Sequence, residues 1–287
     1  MYLLYSILSS TVIFIIFKSF KRFGIDRLQA IIINYVVACA AGLLLYERPI
    51  AFGQIPAQPW FLGALILGAL FILIFNLMAL TTQRSGIAVV SVATKMSVVI
   101  PILFGLFYYK DQLGPLKLLG IILALVAVYL ASLKQKDGLI HKKENLIFPI
   151  LVFLGSGLID AGIKFLEDDY IAPKDVPLFS ALIFAAAFTI GISILLIKCI
   201  TGKFRFQWRN VLAGIALGLP NYFSIYFLVQ ALRNGWESST VFLINNVGIV
   251  VFSTLTAVLF YKEKMLPKNW IGLLLAVLGI ILVSLSS

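Results

Sequence analysis

The sequence predicts an all-α polytopic membrane protein with ten transmembrane helices, arranged as two inverted five-helix repeats. The chain of 287 residues is 61% hydrophobic and 12% charged, far from the balance of a soluble domain. Apolar runs of about 20 residues recur along its whole length, and each can cross about 30 Å of hydrocarbon. A long stretch, residues 86–132, recurs without a gap as residues 238–284. Together these observations indicate a duplicated membrane unit.

The duplication is supported by polar and turn-forming residues that an apolar bias alone does not reproduce. The acid Asp111 returns as Glu263, 152 positions later. The identities in the same register are Tyr109, Lys110, Pro115, Gly120, Ala124 and Ser132 with Tyr261, Lys262, Pro267, Gly272, Ala276 and Ser284. Ala79-Leu80 matches Ala231-Leu232 in the same register. At slightly different offsets, Gly42 matches Gly191, and Ser10, Ile13 and Lys18 match Ser156, Ile159 and Lys164. The repeat therefore extends over both halves of the chain.

Each apolar run is predicted to be a helix, because a helix satisfies its own backbone hydrogen bonds in lipid. The ten spans are 2–20, 26–46, 60–82, 86–108, 114–133, 146–166, 176–200, 208–232, 237–260 and 267–286. The first, Met1 to Phe17, lacks a basic leading region and a small-residue cleavage site, so we interpret it as a retained helix. Pro101 and Pro220 fall inside the fourth and eighth spans and favour kinks there.

Five spans in each copy force the second copy to insert upside down. The predicted organisation is a first repeat over 1–133, a cytoplasmic connector over 134–145, and a second repeat over 146–287. Inverted repeats of this kind recur among secondary transporters. Glycines within the spans, such as Gly63, Gly68, Gly214 and Gly218, favour close helix packing.

The distribution of lysine and arginine predicts the orientation of the chain. Sixteen of them lie in or beside the connections after spans 1, 3, 5, 7 and 9, and six lie on the opposite side. The positive-inside rule then puts both termini outside the cytoplasm and the connector inside. The formal charge of +11 is accordingly assigned to membrane flanks rather than to nucleic-acid binding. Cys39 and Cys199 both sit in apolar segments, which argues against a structural disulfide.

Two segments carry a family resemblance: "IPILFGLFYYKDQLGPLKLLGIILALVAVYL" and "VFSTLTAVLFYKEKMLPKNWIGLLLAVLGIIL". Both resemble the EamA-type, ten-helix members of the drug/metabolite transporter superfamily, and the resemblance covers essentially the whole chain. It implies a transporter in which spans 1, 3, 4, 6, 8 and 9 surround a central cavity while spans 5 and 10 pack at the back. Substrates in this family include amino acids, sugars, nucleotide sugars, purines, quaternary amines and drugs, so the resemblance does not fix the substrate.

Lys95 is the first candidate for a substrate-binding residue, because it lies about 14 Å along the fourth span, near the membrane midplane. Charged residues at that depth are costly and usually functional. Ser91 and Thr94 share its helix face. Asp160 in the sixth span is a second candidate, although an intrahelical pair between Asp160 and Lys164 explains it equally well.

Amides and tyrosines in the last repeat complete the candidate site. They are Asn221, Tyr222 and Tyr226 on the eighth span and Asn245 and Asn246 on the ninth. Asn34 and Asn76 are instead expected to form hydrogen bonds between helices. A structural role for Lys95, as a cap of helix carbonyls, remains the alternative to a role in binding.

No motif points to an enzyme or to a cofactor. The single histidine, His141, lies in a basic loop, and the sequence has no HExxH motif or phosphate-binding glycine loop. We therefore predict a secondary transporter of the bacterial inner membrane for a small polar or zwitterionic solute, with the proton as a candidate coupling ion. The alternatives are an organic-anion, drug or quaternary-amine transporter, an intramembrane enzyme, and a non-transporting assembly protein.

Overall fold

The computed structural model describes residues 1–44, 46, 52–108, 114–131, 133, 135–136, 139–140, 143–172, 175–202, 205–232 and 238–285. Its α-helices are α1 (Tyr2–Phe23), α2 (Arg27–Leu44), α3 (Phe61–Arg84), α4 (Ile87–Met96), α5 (Val99–Tyr108), α6 (Pro115–Ala131), α7 (Lys143–Tyr170), α8 (Val176–Ile200), α9 (Trp208–Leu232), α10 (Ser238–Leu259) and α11 (Pro267–Leu285). A short 3-10 helix covers Phe52–Ala57. The connector holds two antiparallel two-residue strands, β1 (Gln135–Lys136) and β2 (Leu139–Ile140).

The predicted all-α membrane fold is confirmed. Within the described residues, seven helical spans are long and apolar enough to cross a membrane, and three shorter apolar helices accompany them. Here α4 and α5 count as one span, because Ile87–Gly105 together is long and apolar enough to cross a membrane. The predicted bounds of the seventh and eighth spans coincide with those of α8 and α9.

Helix ends follow local chemistry. The first helix ends at Gly24, whose φ of 64° is left-handed, after Lys21 and Arg22 in the last turn. Both α6 and α11 begin with proline. Proline fits the first helical position, because an N–H there would have no partner within the helix and its absence costs nothing. Asn269 caps two helices: its Oδ1 accepts from the Leu266 N–H, and its Nδ2 donates to the last carbonyls of α6.

The inverted repeat is visible in the contact between α6 and α11. A Cβ on Gly120 would lie 3.1 Å from the Gly279 oxygen and 3.2 Å from the Val283 nitrogen. A Cβ on Gly272 would lie 3.0 Å from the Ala127 oxygen and 2.7 Å from the Ala131 nitrogen. Adding 152 to the residue number on α6, and subtracting 152 from the residue numbers on α11, converts the first set of contacts into the second. Along both pairs one residue number rises as the other falls, so these two equivalent helices run antiparallel, as inverted repeats require.

The other helix–helix contacts also correspond between the first and second halves of the chain. The second helix packs against α9 as α8 packs against α3, and α1 packs against α9 and α10 as α7 packs against α3 and α4. Gly68 contacts Ala186 across the α3–α8 interface, and Gly218 contacts Val37 across the equivalent α9–α2 interface. These close approaches confirm the packing role predicted for the glycines. The helix contacts of the two halves thus correspond to one another, as the predicted two-fold relation between the repeats requires. Tyr109, which the repeat pairs with Tyr261, lies outside the described residues.

One set of contacts breaks the symmetry. The side of the bundle that carries the β1–β2 connector, called the connector end, brings α1 against α3 and α4. Hydrogen bonds tie them there, including Gln83 Nε2 to the Phe17 oxygen at 3.4 Å. Among the described helices, α7 makes no comparable contact with α9 or α10 at the opposite side, the termini end. In the part of the chain that the structure describes, α1, α3 and α4 therefore pack together at the connector end more closely than α7, α9 and α10 do at the termini end.

The orientation of these two ends remains a prediction. With sixteen basic residues at the connector end and six at the termini end, we expect the connector end to face the cytoplasm. A reporter active only in the cytoplasm should stay inactive when fused after Ser287, while one active only outside it should work. The reverse pattern of reporter activity would show that the chain inserts the other way.

Candidate functional site

The fourth span is interrupted near its middle, and this interruption positions Lys95. The helix stops at Met96 and restarts at Val99, where the sequence predicts only a kink. The cause is Pro101, which has no N–H to donate to the Ser97 carbonyl four residues earlier. Ile100 N–H bonds that carbonyl instead, at 2.9 Å, in a tighter turn. Lys95 therefore occupies the last turn of a half-helix, where a cation faces the negative end of the helix dipole.

Asp160 on α7 lies opposite this interruption. It is close enough to Lys95 for a direct Coulomb interaction, and Ser97 Oγ lies 3.5 Å from its Oδ2. The structure thus places Asp160 next to the fourth span and near Lys95.

Asp160 lies on the inner face of α7 and is exposed there. Leu158 is 55% exposed on the outer face of α7, and Asp160 lies about 200° around the helix from it, on the inner face. Asp160 is nevertheless exposed, and Lys95 across from it is half-buried. Among the described residues, α7 does not pack closely against α9 or α10, and we interpret the space between them, beside the two charges, as a cleft.

The hydroxyl groups beside Lys95 are engaged within their own helix. Thr94 is half-buried and donates to the Val90 carbonyl, while Ser91 is fully buried and donates to Ala88 at 2.9 Å. Thr94 therefore borders the cleft together with Lys95, whereas the side chain of Ser91 lies in the packed interior.

The candidate residues of α9 likewise include two half-buried side chains and one that is buried in the interior. Tyr222 and Tyr226 are half-buried, and their rings stack with centroids 6.0 Å apart. Asn221 is buried and donates to Asn34 Oδ1 at 3.2 Å, which joins α9 to α2. Asn34 is therefore the interhelical partner that the sequence predicts. For Asn76 that prediction is wrong, because its amide donates to Ile72 in its own helix.

The amides of α10 also separate. Asn246 is half-buried, while Asn245 is buried and accepts a hydrogen bond from Ser6 Oγ at 3.0 Å. The same hydroxyl lies 2.8 Å from the Ser224 carbonyl, so Ser6 links α1 to both α9 and α10. Ser6 was not among the candidates, because a serine in an apolar helix carries no distinguishing signal in the sequence.

Sequence analysis also missed a charged contact at the connector end. Lys18 of α1 forms a salt bridge with Glu263, which follows α10. Both residues border a cavity of about 510 Å³ at this end, and a second cavity of about 740 Å³ lies nearby around Asp26 and Asn210. Neither cavity is lined by Lys95 or Asp160. Within the described residues, no group of three or more His, Cys, Asp or Glu side chains could hold a metal ion.

Comparison with known proteins identifies relatives of this arrangement. The sequence model of the EamA-like transporter family matches residues 147–285. An uncharacterized protein of Haemophilus influenzae is 26% identical to this chain, over 97% of this chain and 95% of that protein. A solved structure described as "Crystal structure of protein" superposes with a TM-score of 0.57 at 14% identity, over 98% of this chain and 96% of that one. The structural likeness supports the fold alone.

Proposed function

We propose that this chain, whose residues 147–285 match the EamA-like transporter family, is a secondary active transporter for a small polar or zwitterionic organic metabolite of the amino-acid type. It would work by alternating access in the bacterial inner membrane. The observation that carries the proposal is the meeting of Lys95 and Asp160, one charge of each sign, at an interrupted helix in mid-membrane.

Opposite charges at one point suit a zwitterionic solute. The Lys95 ammonium can bind a carboxylate, and the Asp160 carboxylate can bind an ammonium group, so each charge of the solute meets a charge of the opposite sign. The occupied cleft then has the same net charge as the empty one. Thr94, Tyr222, Tyr226 and Asn246 border the cleft and supply polar contacts to an uncharged part of the solute.

Alternating access is supported by the inverted repeats and by the interrupted helix in the first of them. Transporters of this architecture commonly bind at the midplane through broken helices. We propose that the moving units are the two repeats, residues 1–133 and 146–287, joined by the connector 134–145. Asp160 and Lys95 are also the groups within the membrane that could carry a coupled proton.

An organic cation is the second candidate, because the stacked Tyr222 and Tyr226 offer aromatic faces near Asp160. A quaternary amine would use those faces and the carboxylate without needing Lys95. An organic anion would instead use Lys95 alone. The three classes of solute therefore differ in which of the two charges they require.

Thermal unfolding with a panel of zwitterions, organic anions and quaternary amines tests these alternatives. We expect a zwitterionic amino acid to raise the unfolding temperature, since a ligand at about 100 times its Kd stabilises by about 2.7 kcal/mol. The rise should vanish in both Asp160→Asn and Lys95→Met. The solute that binds should then cross the membrane of reconstituted liposomes.

Each contrary pattern has a defined meaning. Stabilisation by a quaternary amine that survives Lys95→Met would replace the zwitterion by an organic cation. Stabilisation by an anion that survives Asp160→Asn would replace it by an organic anion. A bound solute that no liposome takes up would contradict transport itself.

A further inference from the structure

Glu263 lies at the connector end, in the segment between α10 and α11, and contacts two helices of the first repeat. Its carboxylate forms the salt bridge with Lys18 of α1. It also accepts the Ile87 N–H at the start of α4, with nitrogen–oxygen distances of 3.2 and 3.1 Å. A helix N-terminus favours a negative charge, so both contacts stabilise the ionised carboxylate.

The backbone around Glu263 is shaped to hold the carboxylate in this place. Gly86, directly before α4, has a φ of 112°, and a Cβ there would come within 2.5 Å of Glu263 Oε2. On the other side, Lys262 has a positive φ of 50° and the Glu263 N–H donates to the Ala257 carbonyl at 3.0 Å. Glycine before α4 therefore leaves the space that the carboxylate occupies.

A second contact beside Glu263 joins the same partners. The Tyr261 hydroxyl lies 2.8 Å from Ser19 Oγ and donates to the Ile15 carbonyl at 3.2 Å, both on α1. Lys18 itself lies 3.5 Å from the Thr82 carbonyl of α3. The segment after α10 therefore contacts three helices of the first repeat. Glu263 and Tyr261 bind α1 and the start of α4, and Lys18 adds a contact with α3.

We infer that the Lys18–Glu263 pair is a lock that holds the connector end closed and must open once in each transport cycle. A solute leaving through the connector end has to pass between α1, α4 and α10, which this pair joins. The side chains are 23% and 14% exposed in the closed bundle. When the end opens, water replaces the partner of each charge, which keeps the separation reversible.

The role in transport rests on the proposed function, but the closure itself can be measured without substrate. In a chain in which Cys39 and Cys199 are replaced by alanine, spin labels at Arg22→Cys and Phe260→Cys report the distance between the connector ends of α1 and α10. We expect a dominant short distance in this background. Glu263→Gln keeps the size of the side chain, and Lys18→Met keeps most of the stem.

Either substitution should raise the ratio of the long to the short distance by about tenfold or more, the factor that corresponds to about 1.4 kcal/mol. The double variant should do little more than the single ones, because both remove one interaction. Lys21→Met, an exposed lysine one turn further along α1, is the matched control and should leave the distances unchanged.

Unchanged distances in Lys18→Met and Glu263→Gln would overturn the lock, even if liposomes transport a solute normally. Increased opening in both variants would support it, even if the solute of the proposed function is wrong. If Glu263→Gln does not fold, Lys18→Met decides alone, since its substitution leaves Glu263 on the α4 N-terminus.

Discussion

Lys95→Met is expected to abolish transport while the protein still inserts and folds. Methionine keeps much of the apolar stem and removes the ammonium group, so the packing of α4 against α7 changes little. Asp160 loses its partner, but it lies in the open cleft, where water can solvate it. Solute uptake into liposomes should fall to the level of empty vesicles, and any pH dependence of uptake should disappear with it.

The matched control for this variant is Lys268→Met, which removes an exposed lysine in the first turn of α11. It should transport as the unsubstituted protein does. Uptake by Lys95→Met at the unsubstituted rate would show that Lys95 only caps the half-helix. Restoration of uptake in Lys95→Met combined with Asp160→Asn would likewise show that the pair is structural, since that variant binds neither end of a zwitterion.

Gly272→Ala is expected to destabilise the protein strongly through the contact of α6 with α11. The new Cβ would lie 2.7 Å from the Ala131 nitrogen and 3.0 Å from the Ala127 oxygen, and neither backbone atom can move without shifting the whole helix. Overpacking of this kind typically costs about 1–3 kcal/mol. Thermal unfolding in detergent should show a clear drop in the midpoint temperature.

Other glycines give graded comparisons for the same measurement. Gly279→Ala should cost less, because its nearest contact would be 3.2 Å, and Gly114→Ala should be nearly neutral, because nothing lies within 4 Å of its Cβ position. Gly120→Ala should fall between Gly272→Ala and Gly279→Ala, since its nearest backbone contact would be 3.1 Å, against 2.7 Å for Gly272 and 3.2 Å for Gly279. Equal midpoints for all four variants would mean that α6 and α11 are not packed as described.

The fold could be predicted almost completely, because hydropathy and the 152-residue repeat are both properties of sequence alone. The interruption of the fourth span was only half predictable. Pro101 predicts the loss of one helix hydrogen bond. Whether the helix bends or stops there depends on which N–H donates to the Ser97 carbonyl instead. The sequence does not contain that choice, which the packing around Ile100 decides.

The site was harder to predict than the fold. Asn221 and Asn246 look alike in the sequence, since each is an amide among apolar residues. They differ in rotation about their helix axes, which buries Asn221 against Asn34 and leaves Asn246 half-buried beside the cleft. The salt bridge between Lys18 and Glu263 joins residues 245 positions apart. Lys18 could be explained as positive charge at a membrane flank, and Glu263 stood out only as the repeat counterpart of Asp111.

The interrupted fourth span has no counterpart in α10, which runs unbroken from Ser238 to Leu259. If the two repeats were identical, exchanging their conformations would turn the bundle inside out without changing its energy. The outward and inward states would then be degenerate, and the empty protein would divide its time equally between them. Every difference between the halves lifts that degeneracy. Pro101 is one such difference, since the repeat places Ser253 opposite it. Under the proposed alternating access, divergence after duplication would set the resting state, and substitutions that make α4 and α5 more like α10 should move the empty protein toward equal occupancy.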